Sequence, residues 1–164
     1  MAERADVRIV RQLQAAGVDF VCSVPCSLLA GVLRELDRSR MTHLSVTREE
    51  EGVGICAGAY LGGRRPALVM QNSGLGNSIN ALLSLNRLYR IPLFLVMGHR
   101  GGPGERIVAQ VPMGQATPRV LEALDIPFRA VRTRAEIGAI ATVGRSAFRL
   151  EKVTAVLLGG GIWS

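Results

Sequence analysis

The feature that most constrains this chain is a set of short, almost continuously apolar runs. Val18–Val24, Pro66–Gln71, Pro92–Met97 and Val153–Leu158 carry few or no polar residues. Such runs are too short to cross a membrane and too uniform to have one wet face. They read as strands buried on both sides. Between them lie stretches with helical spacing. Residues 3–16 would turn Val7, Val10, Leu13 and Ala15 inward, and Ile79–Tyr89 would turn Ile79, Leu82, Leu83 and Leu88 inward. His43–Val46 and Pro127–Val131 supply two further strands. Leu28–Leu36, Gly52–Leu61, Thr117–Leu124 and Ala135–Leu150 supply further helices. The alternation predicts an α/β fold, an open parallel sheet of about six strands with helices on both faces.

At 164 residues the chain is expected to be one domain, 1–164. Its N-terminus is charged and amphipathic, unlike a signal peptide. No run of about 18 apolar residues suggests a membrane span. Cys22, Cys26 and Cys56 have no metal-ligand spacing, and their odd number argues against a disulfide framework. A cytoplasmic location is expected. The net charge is +7, and every basic residue but Lys152 is arginine. The arginines are scattered, without a long basic run or aromatic interleaving, so no nucleic-acid partner is expected. A solvated face, an acidic partner subunit or an anionic substrate would each account for the charge.

In open parallel sheets, ligands bind beyond the carboxyl ends of the strands. Four segments fall there. The first is Val24-Pro25-Cys26-Ser27, where Ser27 either caps the next helix or meets a ligand. The second is Glu49-Glu50-Glu51, opening a helix rich in Gly and Ala. Acidic residues in a first turn are favourable against the helix dipole. A carboxylate facing a cofactor is the other reading. The third is the turn Asn72–Asn77, NSGLGN, whose residues suit a turn and also offer donors. The fourth is GHRGGPGERIVAQVPMG, residues 98–114, with His99, Arg100, Glu105 and Gln110 as polar members. Loops of that length are usually lids or binding segments. The helix over 52–61 carries Gly52, Gly54 and Gly58, each costing about 1 kcal/mol relative to Ala. Close contact with another backbone or subunit would account for them.

The stretch 45–80 resembles the pyrimidine-binding (PYR) domain of thiamin-diphosphate enzymes. There a Glu follows a strand and precedes a Gly/Ala-rich helix ending in an aromatic residue. The matching positions are Glu50, Gly52, Cys56, Ala57, Ala59 and Tyr60. More narrowly, TREEEGVGICAGAYLGG, PALVMQNSGLGN and AQVPMGQATP resemble the alpha-subunit family of sulfopyruvate decarboxylases, with phosphonopyruvate decarboxylases as close relatives. The resemblance implies thiamin diphosphate as cofactor. It implies that the Glu50 carboxyl hydrogen-bonds ring nitrogen N1′ of the aminopyrimidine, favouring the tautomer that removes the proton from thiazolium C2. Val24, Pro25, Ser73, Gly74 and Asn77 would help to hold the cofactor. Ser27, Asn72, His99, Arg100 and Gln110 would face a small anionic 2-oxo acid, with Arg100 as first choice for a sulfonate.

The family binds the diphosphate and Mg²⁺ through a Gly-Asp-Gly motif in a second domain, and no Gly-Asp-Gly occurs in this sequence. The chain is therefore expected to supply half an active site, with Mg²⁺ held by a beta subunit and with self-association as well. The implied reaction converts 3-sulfopyruvate to sulfoacetaldehyde and CO₂, serving coenzyme M biosynthesis or sulfonate metabolism. A phosphonopyruvate decarboxylase subunit is the alternative within the class. A non-catalytic α/β module that binds an anion or a partner is the alternative outside it.

Overall fold

A computed structural model describes residues 3–102 and 104–163. Six strands form one sheet: β1 Phe20–Ser23, β2 Thr42–Ser45, β3 Pro66–Gln71, β4 Leu93–Gly98, β5 Phe128–Val131 and β6 Val153–Leu158. All pair in parallel, in the order β2-β1-β3-β4-β6-β5. Six α-helices connect them: α1 Ala5–Ala15, α2 Ala30–Asp37, α3 Glu49–Leu61, α4 Gly74–Ala81, α5 Val111–Ala123 and α6 Ala139–Leu150. The expected architecture is the one found.

The apolar runs are buried on both faces for the predicted reason. Val21, Val69, Phe94, Val96 and Val156 face a core built with α1, α2 and α6. Cys22, Leu68, Met70, Leu95 and Leu157 face a second core built with α3, α4 and α5. Alternate residues of one strand thus serve two layers. The inward face of α1 is shifted from the expected one: Ile9, Val10 and Leu13 are buried, while Val7 is only half-buried and Ala15 is exposed. Among the described residues no helix is long and apolar enough to cross a membrane.

Three differences matter for function. Ser27 does not cap a helix through its side chain; it opens a 3₁₀ turn, Ser27–Leu29, and α2 follows it. Helix α4 starts at Gly74, inside the segment expected to be a turn, and runs into a π-helical stretch, Leu82–Arg87. At Gly74 a Cβ would lie 2.3 Å from Glu49 Cγ, so the glycine lets Glu49 pack against the first turn of α4. Helix α5 starts at Val111 rather than Thr117. Pro112 sits where its missing N–H costs nothing. The loop after β4 is correspondingly shorter than the sequence suggested.

The chain leaves β1 for β2 on one side and places β3 on the other. The switch between β1 and β3 opens a crevice at their carboxyl ends. The ladder continues one residue past several strands. Val24 N–H donates to Val69 O, Asn72 N–H to Gly98 O, His99 N–H to Leu158 O, and Gly159 N–H to Val131 O. Four of the site segments therefore lie side by side along one edge.

Candidate active site

Helix α3 begins directly beyond β2, and its first turn holds all three glutamates. They do different work. Glu51 turns back to cap the helix: the backbone N–H and the hydroxyl of Thr47 both donate to Glu51 Oε2, at 3.1 and 2.9 Å. Those two donors, the hydroxyl first, hold its carboxyl below the usual range. Glu49 reaches across to α4, where Asn77 Nδ2 donates to Glu49 Oε2 at 3.0 Å. Glu50 is different. Arg48 Nε donates to its Oε1 at 2.6 Å, while its Oε2, the covered atom of a side chain 35 % exposed, has no hydrogen-bond partner among the described residues. Its own backbone N–H, then Arg48, keep the carboxyl ionised to lower pH than usual. A buried acceptor without a donor is costly and calls for an explanation.

At the end of β3 lies a polar relay that joins the expected Ser73 and Gln110 through Gln71, which sequence reasoning missed. Gln71 Nε2 donates to Ser73 Oγ at 2.7 Å and to Gln110 Oε1 at 3.0 Å. Cys26 Sγ–H points to Gln71 Oε1 at 3.7 Å. One side chain thus joins the loops after β1, β3 and β4. The available signal was a lone polar residue ending an apolar strand. Val24 is half-buried and Pro25 exposed on the same edge.

Asn72, expected to meet substrate, is 1 % exposed and fully engaged. Its Oδ1 accepts from Arg100 N–H at 2.9 Å; its Nδ2 donates to Arg100 O at 3.3 Å and to Thr117 Oγ1 at 3.0 Å. It is a clamp between the loop after β4 and α5, with no polar atom left for a ligand. Arg100 is engaged too. Its Nε and NH2 each donate to one Glu105 oxygen at 2.7 Å, with side chains 16 % and 8 % exposed. Gly101 and Ile107 N–H groups also donate to that carboxylate. Arg100, then these amides, push the Glu105 pKa far below the ordinary carboxylate value. The expected sulfonate ligand is therefore the loop's internal tie. His99 Nε2–H donates to Gly114 O at 3.0 Å, which leaves Nδ1 as the acceptor nitrogen.

A cleft of about 610 Å³ lies beyond β4, β6 and β5 and is lined by Ser27, His99, Arg100, Arg106, Arg132 and Gly160 among others. Ser27 is exposed there. The fold also makes one arrangement no spacing suggested: His43 Nε2 lies 2.8 Å from Ser23 Oγ, and His43 Nδ1 lies 2.6 Å from Asp37 Oδ1. The geometry resembles a hydrolytic triad, but Ser23 is 1 % exposed and no acyl group could reach it. It ties β1 to β2 beneath the site.

One edge thus carries a carboxylate oxygen without a donor at the head of a small-residue helix and a polar relay at the end of β3. The model of the thiamine pyrophosphate enzyme N-terminal TPP-binding domain matches residues 4–107. The chain is 47 % identical to the sulfopyruvate decarboxylase alpha subunit of Methanococcus maripaludis, across 97 % of this chain and 96 % of that one. It is also 47 % identical to the same subunit of Methanothermobacter thermautotrophicus, across 92 % and 93 %. In fold it is similar to the benzoylformate decarboxylase of Polynucleobacter necessarius, with a TM-score of 0.73 at 14 % identity, covering 99 % of this chain and 31 % of that one. The chain belongs to the sulfopyruvate decarboxylase alpha-subunit family of thiamine pyrophosphate enzymes.

Proposed function

We propose that this chain supplies the aminopyrimidine-activating half of a decarboxylase that converts 3-sulfopyruvate to sulfoacetaldehyde and CO₂ in the cytoplasm. A separate beta subunit would hold the diphosphate and Mg²⁺ and complete the site. The observation that carries this reading is Glu50 Oε2, buried and unpartnered in the register of the family's glutamate. It fits a ring N–H or a shared proton.

When bound, thiamin diphosphate supplies a nucleophilic carbon and a sink for the electrons released with CO₂. Glu50 would hold a proton at the pyrimidine nitrogen. A covering partner would exclude water and push its pKa up, against the pull of Arg48. Ser73, Gly74 and Asn77 would form the floor, Asn77 by fixing Glu49 clear of the nitrogen. Pro25, Ser27 and the Gln71–Gln110 relay would bound the space for the keto acid. Asn72 would act only through the loop it clamps.

The test is reconstitution. The chain is mixed with a partner carrying a Gly-Asp-Gly motif, thiamin diphosphate and Mg²⁺, and CO₂ release is followed from 3-sulfopyruvate and from 3-phosphonopyruvate. Faster release from the sulfonate is expected. Preference for the phosphonate would reassign the substrate, and release from neither would remove the decarboxylase reading.

A further inference from the structure

We infer that the cleft beyond β4, β6 and β5 is the sulfonate subsite, with Arg106 and Arg132 as its cationic contacts. The inference rests on the decarboxylase reading and deepens it. Register brings the cleft together: Arg132 follows β5, Gly159 follows β6 and His99 follows β4, and the last two extend the ladder as neighbours. Arg106 comes from the loop that the Arg100–Glu105 tie holds over the edge.

Charge then selects the ligand. Three arginines and one glutamate line the cleft. Arg100 is matched by Glu105. The guanidinium groups of Arg106 and Arg132 have no hydrogen-bond or ion-pair partner among the described residues, and both residues are exposed. Two positive charges face the cavity uncompensated, and a keto acid carrying a carboxylate and a sulfonate has two negative ones. Guanidinium is weakly hydrated and presents a planar fork of donors, which suits an oxyanion with three equivalent oxygens.

Position agrees with charge. Glu50 lies past β2, at one end of the sheet, and the cleft reaches from Ser27, its near wall after β1, across the ends of β4, β6 and β5. A keto acid whose reacting carbon sits at the switch would direct its C3 substituent away from Glu50 and toward the cleft. Arg106 and Arg132 are thus specificity residues, and Arg100 is a positioning residue that holds the loop.

The test uses the reconstituted complex with Arg106→Gln, Arg132→Gln, the double variant, and Arg119→Gln as an exposed control on α5. Each cleft variant should raise KM for 3-sulfopyruvate about tenfold, the loss of one charge-assisted contact. Turnover at saturation and C2–H/D exchange in bound cofactor should hold, and Arg119→Gln should change nothing. An unchanged KM in the double variant, or an equal effect from Arg119→Gln, would overturn the inference. A second reading does not need turnover: sulfoacetate titrated into the full chain should shift the amide resonances of Arg132 and Gly159–Gly161, and the double variant should abolish this. If the wild-type complex releases no CO₂ from 3-sulfopyruvate, the decarboxylase reading fails, and the titration alone decides the cleft. Shifts lost in the double variant keep it as an anion site; no shifts end it.

Discussion

Three adjacent glutamates show how little a residue's type says about its role. Glu51 Oε2 takes both Thr47 donors and Glu49 Oε2 takes Asn77, while Glu50 is the one of the three with a buried oxygen that lacks a donor among the described residues. Glu50→Gln keeps size and hydrogen bonding but cannot share a proton. It should slow C2–H/D exchange by orders of magnitude in a complex that still assembles. Glu51→Gln keeps an acceptor for Thr47 and should retain exchange, whereas Glu51→Ala should loosen the start of α3 by the roughly 1 kcal/mol of a lost cap, with exchange retained. Equal exchange rates in the Glu50→Gln and wild-type complexes would end the assignment. Glu105 gives a prediction with a sign. Its folded pKa is depressed, so its contribution is complete above its ordinary value of 4.5 and is lost only as pH falls through the lower folded value. Hydrogen exchange of the 100–107 loop should stay slow through mild acid. Arg100→Ala should speed it at neutral pH, because Glu105 would remain buried without its cation.

At the scale of elements, the strands were legible because burial on both faces leaves an unmistakable run of apolar residues. Helix starts were less so. Nothing local in NSGLGN announces a helix from Gly74, where Glu49 packs in the space a Cβ would take. Pro112 read as part of a loop, yet it stands in a first turn. At the candidate site a motif singles out Glu50, and the structure leaves its Oε2 without a donor among the described residues. The site was not legible at Asn72, whose partners are 28 and 45 residues away. Asn72→Ala should cost about 1–3 kcal/mol in urea unfolding, since buried partners would be left unpaired. Helix α3 carries the other prediction of this scale. A Cβ on Gly54 or Gly58 would meet nothing within 4 Å, so no contact among the described residues offsets their cost of about 1 kcal/mol each. Exposed Leu61 continues that face. Gly58→Leu should weaken self-association or partner binding with little loss of fold stability. Sedimentation showing an unchanged oligomer in a folded Gly58→Leu protein would dismiss this face as an interface.

At the scale of the whole molecule, acidic residues decide what the chain can do alone. All four aspartates serve the fold. Asp6 accepts from Trp163 and Arg4, Asp19 from Arg64 and the Arg65 N–H, Asp37 faces His43, and Asp125 accepts from Arg87. Among the described residues no cluster of three or more His, Cys, Asp or Glu could hold a metal. The edge beyond the strands offers instead one carboxylate oxygen without a donor and a cleft lined by three arginines. On the proposed division of labour, contacts to the diphosphate would come from the other subunit. The purified chain should bind thiamin diphosphate far more weakly than the complex does, and Mg²⁺ should make little difference to it. Calorimetry on the chain with and without Mg²⁺, and again with the partner added, measures this directly. Tight Mg²⁺-dependent binding by the chain alone would place the diphosphate site on this subunit and overturn the division of labour.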